Sequence, residues 1–193
     1  MALYSDRRYN HAMAGQDNYS ALVKRVRAGD NQAFVQLYDQ LSQPLMRFML
    51  LKTHDLDLAE DICAIAWQKA WQGLTNGKFR NKNFKAWLFT VAYHQLIDHY
   101  RRQHPTADLS QIEPASSNSH DYPEQQFLKQ EQQRQLYQAI NQLNQRDRQI
   151  IWLRFVEGFN IKQTSQITGL NSLKIRVYQH RALKKLKQIL KHD

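Results

Sequence analysis

The sequence contains a single cysteine, four prolines and six glycines among 193 residues. One cysteine, Cys63, excludes an internal disulfide and any all-cysteine metal site, and it suits a reducing compartment. So few turn-forming residues argue against a β-rich chain and favour helices with short connections. No apolar run approaches the ~20 residues that a membrane-spanning helix needs. The opening stretch MALYSDRRYNHAMAGQDN has no apolar segment of signal-peptide length. Also missing are a Gly-rich phosphate loop, a His-Glu-x-x-His motif and paired cysteine ligands. The expectations are a cytoplasmic, non-enzymatic protein without membrane insertion, metal or cofactor. Acidic residues are scarce too: 17 stand against 27 Lys and Arg, for a formal net charge of +10. That excess points to a polyanionic partner, nucleic acid ahead of an anionic membrane.

What is present is helical periodicity, interrupted once. Residues 103–121 hold two prolines, several serines, three acids and no Lys or Arg. Such a segment cannot bury enough apolar surface to order itself and reads as a flexible linker. It divides the chain into a flexible segment at 1–18, a domain at 19–102, the linker at 103–121 and a second domain at 122–193. The first domain carries twelve basic and seven acidic residues, the second thirteen and five. Both are therefore basic, and the fold class is all-α: two small helical domains, the second containing a helix-turn-helix.

Local signals place the helices. In the first domain a short helix ends at Gly29, and Asp30 caps a second that runs to about Lys52 with Pro44 inside it. Asp55 or Asp57 caps a third, with Leu58, Ile62 and Ile65 at helical spacing and Trp67, Trp71 and Leu74 on a second stripe. A fourth runs from about Asn83 to Arg102, burying Leu88, Ala92 and Leu96. In the second domain an amphipathic helix covers about 123–142, with Phe127, Leu136, Ile140 and Leu143 inward. Helices at about 145–157 and 160–168 end at Gly158 and Gly169, and Asn171 or Ser172 caps the last.

The most informative motif is EGFNIKQTSQITGLNSLKIRVYQHRALKKLKQIL, residues 157–190. A short helix, a glycine turn and a longer basic helix form a helix-turn-helix. Between Asn171 and Lys191 there are seven Lys or Arg and no acid. The second helix of such a unit places its N-terminal half in the major groove while flanking cations neutralise phosphates. The expected duplex contacts are Lys174, Arg176, Val177, His180, Arg181 and Lys184. A second basic segment, Lys78 to Trp87, interleaves Lys78, Arg80, Lys82 and Lys85 with Phe79, Phe84 and Trp87. Cations alternating with stacking aromatics suit single-stranded DNA.

Two signatures carry a family resemblance. DLAEDICAIAWQKAW (57–71) is followed by FRNKNFKAWLFTVAYHQLIDHYRR (79–102). After the linker comes LNQRDRQIIWLRFVEGFNIKQTSQITG (143–169), then IRVYQHRALKKL (175–186). Neither is diagnostic alone, but their order and spacing are specific. The chain resembles the small two-domain sigma factors of the extracytoplasmic-function group, in the sigma-70 family of bacterial RNA polymerase. The resemblance implies a promoter-specific initiation factor that binds core RNA polymerase and assists DNA melting. Its first domain would engage the polymerase clamp and the −10 element, and its second the −35 element. The clamp contacts it implies are Asp57, Glu60, Asp61, Ile65 and Gln68. The −10 contacts are Lys78, Arg80, Lys82, Asn83, Phe84, Trp87, His94 and Arg101. Promoter DNA and core polymerase are the implied partners, with an anti-sigma factor as a third. The free protein is expected to be a monomer, associated with the nucleoid when in holoenzyme.

The sequence departs from the family pattern at Ala64 and Ile65, at His94, and at Leu173-Lys174, where Gly-Thr often opens the recognition helix. The alternatives are a stand-alone helix-turn-helix regulator and an adaptor whose first domain only docks on another protein. His94 and Asp98 alone make a weak case for catalysis.

Overall fold

The computed structural model describes residues 19–80, 83–103 and 131–190. The expected segment 1–18, the linker beyond Gln103, and Phe127 lie outside them. Every regular element among the described residues is helical.

Helix α1 covers residues 19–27 and stops at Gly29, whose φ of 94° needs a residue without Cβ strain. Asp30 then caps α2 (Asn31–Thr53) by accepting from the Ala33 amide at 3.2 Å. Helix α2 runs through Pro44 and closes on His54, a non-glycine residue in the left-handed region. Asp55, rather than Asp57, caps α3 (Leu56–Thr75), accepting from the Leu58 amide at 3.1 Å. The Asn83 side chain accepts from the Ala86 amide at 2.8 Å and starts α4 (Phe84–Gln103).

These helices close over one core. Leu37, Leu41, Leu45 and Phe48 recur along α2 at helical spacing and are fully buried. They meet Ile62, Ala66 and Trp67 of α3, and Leu88, Phe89, Ala92 and Leu96 of α4. Each such Leu or Phe contributes ~1.5–3 kcal/mol by leaving water. Ile65, expected at the inward spacing with Leu58 and Ile62, is exposed instead. At 100° per residue it lies about 60° beyond Ile62 and about 100° from Ala66, off the edge of the stripe that Ala66 and Ala70 bury.

The second half begins with α5 (Glu131–Asn141), then α6 (Gln145–Ile151), which Asn144 caps through the Asp147 amide at 2.9 Å. The chain continues through one wider π-helical turn at Trp152–Val156, which periodicity did not reveal, and turns at Gly158. Helix α7 (Ile161–Thr168) opens with a reciprocal capping box: Asn160 accepts from the Gln163 amide, and Gln163 accepts from the Asn160 amide. Gly169, at φ 71°, makes the turn into α8 (Ser172–Ile189), and Asn171 caps α8 through the Lys174 amide at 2.8 Å. A small core joins Ala139, Ile140, Leu143, Ile151, Ala182 and Leu186. Leu136, expected inward on α5, is exposed. The stripe that reaches the core runs through Ala139, Ile140 and Leu143.

The two halves also pack on each other, with α7 against α4. Trp152, Leu153, Phe159 and Ile167 enter the core of the first half. The Phe159 ring meets Phe89 edge-on at 5.0 Å. Beside it, Lys85 Nζ pairs with Glu157 Oε2 at 2.8 Å and donates to the Glu157 carbonyl at 2.9 Å. The other carboxylate oxygen of Glu157 accepts from the Trp152 indole at 3.2 Å. A second bridge runs from Lys52 Nζ to Gln149 Oε1 at 3.2 Å. The all-α, two-domain class thus comes with a contact between the domains that each domain's own pattern did not announce.

Candidate nucleic-acid interface

Helix α8 presents two opposed faces. Ile175, Ala182 and Leu186 are buried against the second-half core. At 100° per residue, Leu173, Val177, His180 and Lys184 point the other way, and all four are exposed. Lys174 and Arg176 flank this stripe and are exposed as well. The outward half of α8 is therefore a cation-lined ridge with an apolar tip, led by a capped N-terminus. That shape and charge fit a major groove.

Arg181, expected as a further duplex contact, is exposed on the flank of this ridge, but its guanidinium is engaged by a carboxylate of α6. Its guanidinium makes two parallel bonds to Asp147, at 2.7 and 2.8 Å. The Asp147 carboxylate is only 1% exposed, so this fork ties α8 to α6. Sequence reasoning missed the pairing because the partners are 34 residues apart.

The aromatic-basic segment also splits in two. Phe79 and Phe84 are buried and Trp87 is half-buried, and the three rings pack on one another at 5.0–6.0 Å. Phe84 is thus a core ring in this arrangement rather than a free stacking platform. Lys78 and Arg80 are exposed, Lys82 lies outside the described residues, and Asn83 spends its side-chain oxygen on capping α4. An open depression of about 420 Å³ is lined by Arg27, Leu74, Thr75, Gly77, Phe79 and Arg80. Arg27 forms part of its wall, donating to the Phe79 carbonyl and lying over the Phe79 ring. Farther along α4, His94 and Arg101 are exposed, and Arg101 approaches Asp98 at 3.6 Å. Lys85 is not available here, since it is engaged with Glu157.

Helix α3 carries a third surface. Asp57, Glu60, Asp61, Ile65 and Gln68 are all exposed and follow one another at helical spacing. The stripe is acidic near the helix N-terminus and turns apolar at Ala64 and Ile65. On its reverse, burial pushes the Cys63 thiol up to about 12, with Glu60 adding to the shift.

Residues 37–106 match the model of Sigma-70 region 2, and residues 133–186 that of Sigma-70, region 4. The chain belongs to the sigma-70 family. Within it the chain is a sigma factor of the extracytoplasmic-function group, and it directs RNA polymerase to promoters. It is 28% identical over 188 residues to the ECF RNA polymerase sigma factor BldN of Streptomyces coelicolor, covering 95% of this chain and 71% of that one. It is also 28% identical to the ECF RNA polymerase sigma factor SigX of Bacillus subtilis, covering 81% and 83%. The fold is shared with the sigma factor RpoE of Bartonella quintana, solved with the anti-sigma factor NepR. There the TM-score is 0.57 at 24% identity, covering 83% of this chain and 98% of that one. CnrH, solved with the cytosolic domain of CnrY, gives 0.58 at 19%, covering 91% and 99%. The region 2 match removes the stand-alone regulator, which would account for the helix-turn-helix alone. Sigma factors are not enzymes. Among the described residues no group of three or more His, Cys, Asp or Glu could hold a metal, and no helix is long and apolar enough to cross a membrane.

Proposed function

We propose that the three exposed surfaces divide the work of this sigma factor. The α3 stripe of Asp57, Glu60, Asp61, Ile65 and Gln68 docks on core polymerase. Lys78, Arg80 and Lys82, with the depression beside Phe79 and the α4 residues Trp87, His94 and Arg101, take the −10 strand as it opens. Phe84 supports the Trp87 ring from below, and Asn83 fixes the start of the helix. The ridge of Lys174, Arg176, Val177, His180 and Lys184 reads the −35 duplex. Arg181 holds that ridge in place through Asp147. The domains span 19–102 and 122–193, with 103–121 as the connecting segment.

The observation that carries this reading is the separation of charge. The exposed face of α8 carries cations and no acid around an apolar tip, whereas the exposed face of α3 is acidic and then apolar. A surface for DNA and a surface for protein are thus held on different helices. An anti-sigma protein, such as RpoE holds in its solved complex with NepR, belongs to the same reading as a third partner. The free chain is a monomer, because it carries both promoter-reading domains and needs no two-fold partner.

The test is promoter melting by holoenzyme rebuilt from core polymerase and the full chain. Permanganate reactivity of −10 thymines should appear with the wild type and fall sharply with Lys78→Ala/Arg80→Ala, while core binding persists. Unchanged reactivity in that variant would remove the −10 role from this segment.

A further inference from the structure

The tip of the α8 ridge is apolar. Leu173 is 70% exposed, the most exposed of the large hydrophobic side chains among the described residues, and Val177, one turn on, is 54% exposed. They stand opposite Ile175, Ala182 and Leu186 and form a continuous pair at the N-terminal end of the helix. Lys174 and Arg176 flank them, and no acid occurs between Asn171 and Lys191. An apolar protein groove would have to accept these cations, whereas a DNA groove welcomes them. Within the major groove the one apolar feature is the thymine C5-methyl group. The N-terminal half of a recognition helix goes deepest, so its outermost side chains reach base edges first.

We infer that Leu173 and Val177 determine part of the −35 specificity by packing on thymine methyl groups. This rests on the proposal that α8 reads the −35 duplex. It adds Leu173 to the specificity-determining residues and gives Val177 its ligand chemistry. Lys174 and Arg176 hold the flanking phosphates or base edges, and the apolar pair selects T over C at the base pairs beneath it. Cytosine lacks the methyl and offers an amino donor that neither side chain can accept.

The experiment uses holoenzyme made from core polymerase and the full chain. Preferred −35 sequences are selected from a randomised duplex library, and each preferred thymine is then replaced by deoxyuridine, which removes one methyl group and nothing else. One or two such replacements should weaken binding about fourfold, the worth of one methyl-sized group leaving water. With Leu173→Ala or Val177→Ala the matching replacement should cost nothing. Both side chains are exposed, so these variants should fold normally, which circular dichroism checks. Equal binding to thymine and deoxyuridine duplexes by the wild type would overturn the methyl contact while leaving the −35 reading intact. So would a methyl effect that both variants retain. Loss of holoenzyme formation in Leu173→Ala would show that the pair docks on polymerase instead. A complete lack of −35 preference would overturn the underlying reading and the methyl contact together.

Discussion

Lys85→Met should destabilise the protein by about 2–4 kcal/mol, more than Glu157→Gln does, and the double substitution should cost less than Lys85→Met alone. The Glu157 side chain is 3% exposed and Lys85 19%. Removing the cation leaves a buried carboxylate with one neutral donor, the Trp152 indole. Breaking a fully enclosed pair in this way costs ~3–5 kcal/mol, and the residual water access at Lys85 lowers the expectation to ~2–4. Glu157→Gln is milder, about 1–2 kcal/mol, because the amide oxygen still accepts from the indole and Lys85 can turn to solvent. In the double variant the introduced methionine would not face a charge, and its chain would lie against Phe89 and Phe159, where Lys85 now sits. The assay is urea unfolding of the full chain, followed by tryptophan fluorescence and circular dichroism, with the slope compared between variants. The shared core predicts that both probes report one transition. Lys85→Met costing no more than Glu157→Gln, or a double variant costing the sum of the singles, would refute this account of the contact between the halves.

Two arginines of α8 should part company. Arg181→Ala should lower stability by ~1–3 kcal/mol in urea, since it leaves the buried Asp147 carboxylate with the Asn144 amide in place of a cation. Arg176→Ala should leave stability within ~0.5 kcal/mol but weaken −35 binding by ~1–3 kcal/mol in competition assays over variant promoters. Burial, then the nearby Arg148 and Lys52, hold the His54 imidazole below its ordinary 6.5. The folded state then binds fewer protons than the unfolded one, so stability should fall as pH drops through 6.5, and His54→Asn should flatten that loss. Cys63, raised from 9.0 to about 12, acts with the opposite sense: its contribution is present below pH 9.0 and is lost as pH rises toward 12. Its thiol should resist labelling at pH 8 until urea unfolds the chain, and rapid labelling of the native protein would contradict its burial.

Local chemistry was legible in the sequence. Gly29, Gly158 and Gly169 end helices, and Asp30, Asp55 and Asn171 cap them, because each effect acts within a few residues. The helix-turn-helix was legible for the same reason. Ile65 and Leu136 misled, because a helix can carry apolar residues off its buried stripe, and spacing alone does not say which stripe wins. Pairings across long separations were beyond reach: Lys85 meets Glu157 72 residues away, and Arg181 meets Asp147 34 away. A basic residue beside aromatics reads as a DNA contact until a buried carboxylate claims it. Leu173 did leave a signal, a large apolar residue opposite the inner stripe. Without the exposure of the turn that holds it, that signal could equally mark a packed helix start.

The most direct test of the division of surfaces is co-elution of the full chain with bacterial core RNA polymerase, wild type beside Asp61→Arg. Asp61 is exposed, so the substitution should leave folding intact. The wild type should co-elute and the variant should not, which puts the polymerase contact on the outer face of α3. A variant that co-elutes as well as the wild type would contradict that assignment.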